Sequence, residues 1–284
     1  MTDVVALKQP ETAQSLAQPL PIPEAQIGWL TEAVLKNRFL PSPAPDSVFV
    51  GDGDFRAVGA EFLGHFIRKG GLKPDAHVLD IGSGIGRMAV PLTQYLDPAK
   101  GSYAGIDPVA GGTIWCRQNI SAYYPNFRFQ HIDIAHALYN PRGAVDGRHL
   151  TLPFKDKSAD FVIMTSVVTH LEADEVKVYL REIARILAPG GKLFMTAFVV
   201  DDIAARDRTG KRDKRLGFER GGSGPCWFVP ELPPLAAVGF ENGFLDRALA
   251  GAGLSIALKS FGHWRGVESD HYQDLFIATR GGAA

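Results

Sequence analysis

The chain has 284 residues, 45% of them apolar and 21% charged, with a formal net charge of −1. This suits one large α/β domain with some decoration, and it excludes a global electrostatic pull toward nucleic acid or an anionic membrane. The two cysteines, Cys116 and Cys226, form no CxxC pair and no cluster with histidine, so neither a disulfide framework nor a metal site is expected.

Residues 1–23 are rich in Pro, Gln, Ala and Ser and read as a flexible leader. Ile27, Leu30, Val34 and Leu35 give the stripe of a helix over 24–40, which Pro41, Pro43 and Pro45 end. A second helix is expected over 55–69, after the turn Gly51-Asp52-Gly53-Asp54. Together, 24–72 read as a helical segment covering a binding site. Strands and helices then alternate from 73 to the end. Strands are expected at 77–81, 102–106, 127–132, 160–165 and 192–200, with helices over 87–96, 112–122 and 174–187. A last helix over 242–250 precedes two strands, 255–261 and 273–279, joined too closely for a crossover helix. They should therefore pair antiparallel. The expected fold is a doubly wound, mostly parallel seven-stranded sheet ending in an antiparallel hairpin, with an N-terminal helical extension. Residues 134–158 and 201–241 break the alternation. The second stretch, locally basic around Arg206–Arg215, reads either as a solvated loop or as a lid over the substrate.

The sharpest signal is Val78-Leu79-Asp80-Ile81-Gly82-Ser83-Gly84-Ile85-Gly86-Arg87. Glycines after a first buried strand let the backbone turn tightly and approach a ligand. The spacing is GxGxG, and Arg87 stands where a dinucleotide fold needs Gly or Ala. Asp80 would repel a pyrophosphate but attract a cationic amino group. Asp107 ends the second strand, where its carboxylate can accept from ribose hydroxyls, with Pro108 against an adenine. Asp133 ends the third strand, and its carboxylate or the neighbouring Ile134 backbone would meet the adenine amino group. Such strand ends are where open α/β sheets bind ligands.

VLDIGSGIGR resembles the first motif of class I S-adenosylmethionine-dependent methyltransferases. YAGID resembles their second-strand acidic motif, and DFVIMT followed by ARILAPGGKL resembles their fourth-strand and post-helix motifs. The GDGDF, YNPRG, SVVTHL and GHWRG elements are similar to a bacterial branch of that family with generally unassigned substrates. The resemblance implies S-adenosylmethionine as cofactor, S-adenosylhomocysteine as product, and a cofactor site drawn from Asp80, Gly82, Ser83, Gly84, Gly86, Arg87, Asp107, Pro108, Asp133, Ile134, Thr165 and Ser166.

Ser166-Val167-Val168-Thr169-His170-Leu171 follows the fourth strand, beside the expected sulfonium. His170 is the candidate general base, or else a packing residue of the next helix. Ser166 lacks the GxSxG spacing of a nucleophile and is expected as a contact. Phe55, Trp264 and Arg265 are candidates for the acceptor: Phe55 as a cover, Trp264 as a wall, and Arg265 as a clamp on an anionic group. The His263 and His271 region reads equally well as a structural turn. The expected activity is methyl transfer to a small molecule, foremost to a hydroxyl of a metabolite, sugar or glycan. N- or C-methylation, a protein or RNA acceptor, and a non-catalytic cofactor-binding protein are the alternatives. No secretion signal or membrane span is legible, so a cytoplasmic monomer or homodimer without a nucleic-acid partner is expected.

Overall fold

The computed structural model describes residues 22–49, 51 and 53–281. The expected leader lies outside these residues except for its last two positions. Two helices come first, α1 (Glu24–Lys36) and α2 (Phe55–Arg68). Asp54 caps α2, its carboxylate accepting the Ala57 N–H at 2.7 Å. The alternating part follows as β1 (His77–Ile81), α3 (Ala89–Leu92), β2 (Ser102–Asp107), α4 (Ala110–Cys116), β3 (Phe127–His131), β4 (Ala159–Met164), α5 (Ala173–Ile186) and β5 (Leu187–Ala197). Then come β6 (Val199–Val200), α6 (Asp202–Ala205), β7 (Glu219–Arg220), β8 (Cys226–Phe228), β9 (Val238–Glu241), α7 (Phe244–Gly251), β10 (Leu254–Ser260) and β11 (Asp274–Arg280).

Among the described residues, seven strands form one sheet in the order β10-β11-β5-β4-β1-β2-β3. β1 to β5 pair in parallel, and β11 runs antiparallel to both β5 and β10. This is the expected doubly wound, Rossmann-like architecture with its terminal hairpin. Strand alternation feeds two cores. Leu79, Val162, Leu193 and Phe276 pack under α5 and α7, while Val78, Phe161, Phe194 and Ile277 pack under α1 and α2. Helix α5 buries Val176, Leu180 and Ile183, the stripe its spacing predicts.

Three expectations are corrected. The helix expected over 87–96 is a single turn, Ala89–Leu92: Pro91 has no N–H for the Arg87 carbonyl, and beyond Leu92 the Gln94 and Tyr95 N–H groups bond three residues back, to Pro91 and Leu92. The helix expected over 112–122 starts earlier and ends as a π-turn over Arg117–Ser121. The long expected strand 192–200 begins at Leu187 and divides after Ala197, so that Val199–Val200 joins a different sheet.

That second sheet, in the order β6-β9-β8-β7, occupies the 201–241 region read from sequence as loop. It has a core of its own in Phe198, Val200, Leu216, Phe218, Val229 and Trp264. The connection between β10 and β11 clasps it. Asp274, fully buried, accepts the Val199 N–H at 2.6 Å and the Gly262 N–H at 2.8 Å, and burial raises its pKa to about 6. Arg265, also buried, forms an ion pair with Asp201, and the Tyr272 hydroxyl donates to Asp213 at 2.7 Å. Trp264 and Arg265 are thereby enclosed inside the fold, and neither is among the residues lining the cavity at the edge of the main sheet. None of the helices among the described residues is long and apolar enough to cross a membrane.

Candidate active site

The bend after β1 is built from glycines with positive φ, at 78° for Gly82, 55° for Gly84 and 83° for Gly86. Side-chain-bearing residues adopt such angles only at a cost. Space forbids a side chain as well. A Cβ on Gly82 would collide with the Val167 side chain, and one on Gly86 would lie 2.8 Å from Ile120 Cδ1. The Gly82 and Ser83 N–H groups donate to the Ile106 carbonyl at 2.9 and 3.0 Å, which ties the bend to β2. The Asp107 carboxylate completes the tie, accepting the Gly84 N–H and the Val109 N–H, each at 2.7 Å. Burial raises the pKa of Asp107. Its oxygens retain lone pairs beyond these two bonds.

At this sheet edge a cavity of about 910 Å³ opens. Pockets for one small ligand span roughly 300–1,000 Å³, so there is room for a nucleoside-sized cofactor and a small second molecule. Gly82, Ser83, Gly84, Arg87, Asp107, Pro108, Ile134, Thr165, Ser166 and His170, all candidates from the sequence, lie on its wall. Arg87 donates from Nη2 to the Gly51 carbonyl at 2.9 Å and so holds the N-terminal segment against the bend.

Six expected residues are not on the wall. Asp80 shares a β1 face with Val78, so its carboxylate points under α2 rather than into the cavity. There it is 1% exposed and accepts a hydrogen bond from the Tyr103 hydroxyl. Burial raises its pKa to about 7. Asp133 is exposed and turned toward the 134–146 loop, accepting from Asn140 Nδ2 at 2.9 Å and from the Ala144 N–H at 3.2 Å. The Asn140 bond holds its pKa low. Gly86 packs against α4. Phe55 belongs to the α1–α2 core, and Phe49, Gly51 and Val58 take the covering position expected of it. Trp264 and Arg265 serve the clasp.

Ser166 sits just past β4 with φ 59° in a closed ring of hydrogen bonds. Its N–H donates to Thr196 Oγ1 at 2.8 Å, Thr196 Oγ1 donates to Gln273 Oε1 at 2.6 Å, and Gln273 Nε2 donates to Ser166 Oγ at 2.7 Å. The Ser166 hydroxyl proton is left to donate into the cavity. Four residues on, the His170 ring contacts the Leu235 carbonyl through Nδ1 at 2.9 Å and the Tyr139 hydroxyl through Nε2 at 3.2 Å. Burial lowers the His170 pKa, favouring the neutral ring.

The structure also brings in residues that sequence reasoning passed over. Tyr139 lay in the YNPRG motif but served there only as a landmark. His136 donates from Nε2 to the His170 carbonyl at 2.8 Å. His65, on α2, is 5% exposed on the cavity wall, and neither ring nitrogen has a hydrogen-bond partner, with Glu61 Oε1 3.5 Å away. The signal for His65 was faint, a single histidine on the buried face of an amphipathic helix.

With this geometry in place, comparison with known proteins is decisive for the central region. Residues 79–195 match the family described as methyltransferase domain. The match covers less than half of the chain, and this central region is similar to methyltransferase domains. A methyltransferase domain is enzymatic in type, and S-adenosylmethionine is the cofactor to which the match points. Among curated relatives of the methyltransferase domain, an arsenite methyltransferase from Aquipseudomonas alcaligenes is 29% identical over 144 residues, 51% of this chain and 39% of that protein. A sterol 24-C-methyltransferase from Gibberella zeae is 28% identical over 182 residues, 63% of this chain and 42% of that protein. The chain spans less than half the length of the curated relatives it matches. A solved structure from Pyrococcus horikoshii shares the fold with a TM-score of 0.57 at 15% identity, covering 84% of this chain and 96% of that one.

Proposed function

We propose that this chain transfers a methyl group from S-adenosylmethionine to a hydroxyl oxygen of a small molecule, a metabolite, sugar or glycan. The observation that carries the reading is the continuity of one cavity from Gly82–Gly84 and Asp107 to the His170–Tyr139 pair. The residues present suit the cofactor. Asp107 has lone pairs left for ribose hydroxyls, Ile106, Pro108 and Ile134 offer an apolar slot for the adenine, and Ser166 offers a proton near the reacting end. Asp80 is withdrawn from this role. The carboxylate of Glu61, which does line the wall, is the better candidate to face a cationic amino group.

When bound, S-adenosylmethionine supplies an electrophilic methyl group. The chain's task is to align the acceptor and remove its proton, effects that can reach ~7–11 kcal/mol for alignment and ~10²–10⁴-fold for a positioned base. The insertion contributes Arg215, Leu216, Leu232, Ala236 and Ala237 to the wall, which supports its reading as a lid over the acceptor. Residues of the GDGDF, YNPRG, SVVTHL and GHWRG elements (Gly51, Tyr139, His170 and His263) meet at this one cavity, which supports their assignment to one bacterial branch.

An aromatic arm of the wall, Phe62, Phe194 and Phe198, favours a second reading: transfer to carbon or nitrogen of an apolar acceptor. The sterol relative, by its name, is a C-methyltransferase. Titration calorimetry with S-adenosylhomocysteine, followed by transfer of a radiolabelled methyl group to an array of hydroxylated and apolar acceptors, tests both. Absence of binding at high micromolar ligand ends the proposal. Product from the apolar set alone favours the second reading.

A further inference from the structure

The two ring nitrogens of His170 are both engaged, and their partners dictate its protonation. A carbonyl oxygen only accepts, so the contact with Leu235 O at 2.9 Å requires the proton on Nδ1. In the neutral ring Nε2 then carries only a lone pair, and the Tyr139 hydroxyl 3.2 Å away must donate to it. No nitrogen of His170 remains to face an acceptor directly. Tyr139 does remain: the residue lines the cavity, and its oxygen keeps lone pairs after donating its own proton.

The arrangement is held from several sides. Leu235 has φ 62°, a left-handed conformation costing a non-glycine residue ~1–2 kcal/mol. That conformation accompanies a carbonyl aimed at His170. Behind Tyr139, His136 Nδ1 accepts the Leu138 and Tyr139 N–H groups at 3.2 and 3.3 Å, while its Nε2–H holds the His170 carbonyl. The ionisable groups around the pair are His136, Glu175 and Asp107.

Resting on the methyl-transfer reading above, we propose that Tyr139 is the catalytic residue that takes the acceptor's proton, and that His170 takes the Tyr139 proton in turn. The acceptor oxygen bonds the methyl carbon as the carbon–sulfur bond breaks, and that electron pair stays on sulfur. The acceptor proton passes to the Tyr139 oxygen, and the phenolic proton passes to His170 Nε2. One positive charge is lost from sulfur and one appears on the imidazolium, which later returns its proton to solvent. The Leu235 carbonyl makes the insertion part of this relay, because it selects the tautomer with Nε2 open.

The test uses the full chain labelled with ¹⁵N-histidine, with and without S-adenosylhomocysteine, and the variants Tyr139→Phe and His170→Gln, the second serving to assign the resonances. Long-range proton–nitrogen spectra near neutral pH are expected to show His170 protonated on Nδ1 only, with the Nε2 resonance moving in Tyr139→Phe. A proton on Nε2, or an Nε2 resonance indifferent to Tyr139→Phe, overturns the proposal. With any acceptor from the array that gives product, Tyr139→Phe should lower kcat at least ~10²-fold at unchanged S-adenosylhomocysteine affinity. A kcat within threefold of the parent overturns it, since His170 would then act alone. If S-adenosylhomocysteine does not bind while the Nε2 signature persists, the methyl-transfer reading fails and the hydrogen-bonded pair stands.

Discussion

Asp107 is the residue on which the structure makes two demands at once, and they can be separated. Its carboxylate accepts two N–H groups at 2.7 Å, the buried one of Gly84 and the partly buried one of Val109, and keeps lone pairs beyond them on the cavity wall. In Asp107→Asn the amide oxygen retains one of those N–H bonds, and the amide nitrogen, a donor, opposes the other N–H. Leaving one buried N–H unsatisfied costs ~1–3 kcal/mol. At ~2–4 °C per kcal/mol for a domain of this size, the ligand-free protein should melt ~2–12 °C lower. Loss of a charged acceptor for ribose hydroxyls should remove a further ~1.5–3 kcal/mol from cofactor binding, a ~10- to 150-fold weaker Kd for S-adenosylhomocysteine. Differential scanning calorimetry without ligand gives the first number, and isothermal titration at a temperature where both proteins are folded gives the second. A lowered Tm with a Kd within threefold of the parent would refute the ribose role and leave Asp107 as a tie for the glycine bend.

Asp80 gives a pH prediction whose sign runs against the usual carboxylate. Its folded pKa, about 7, exceeds the unfolded value of 3.8, so the folded state binds more protons between them. Stability contributed by this group therefore falls as pH rises from about 4 to about 7, by on the order of 4 kcal/mol. Asp80→Asn, which keeps an oxygen for Tyr103, should be more stable than the parent at pH 8 and lose the advantage by pH 4 in urea unfolding; parallel profiles would refute the buried-acid account. Arg265→Met removes the buried half of the pair with the partly exposed Asp201, whose carboxylate keeps the Ile203 and Ala204 N–H groups, and should cost ~1.5–3 kcal/mol, the worth of a hydrogen bond to a charged group. Hydrogen exchange should accelerate over 199–241 while β1 and β4 keep their protection. Uniform acceleration would show that the insertion is not a separate unit.

Much of the fold was legible because the sequence announces it twice over. Apolar runs such as His77–Ile81 fix a buried strand, and the glycines after it fix the bend. The site was legible where backbone position decides, as at Gly82, Gly84, Pro108 and Ser166. It was not legible where the direction of a side chain decides. Asp80 and Ile81 are neighbours, yet strand alternation sends one under α2 and the other to the opposite face. Asp133 sits at a strand end as expected, but Asn140 and Ala144 draw its carboxylate outward. Trp264 and Arg265 have the chemistry of a binding wall, and only long-range contacts with Asp201 and Phe198 show that the interior claims them. The small sheet of 199–241 was hidden because its strands are two to four residues long, too short for a periodic signal.

The clasp at Asp274 bears on how acceptor preference could be re-engineered. Because one buried carboxylate secures both the exit from β5 and the start of the β10–β11 connection, the stretches 199–241 and 261–274 form a single transplantable cassette. A chimera that borrows the first from a relative without the second would strand an arginine and a carboxylate in its interior. One that moves both leaves the cofactor end of the sheet untouched.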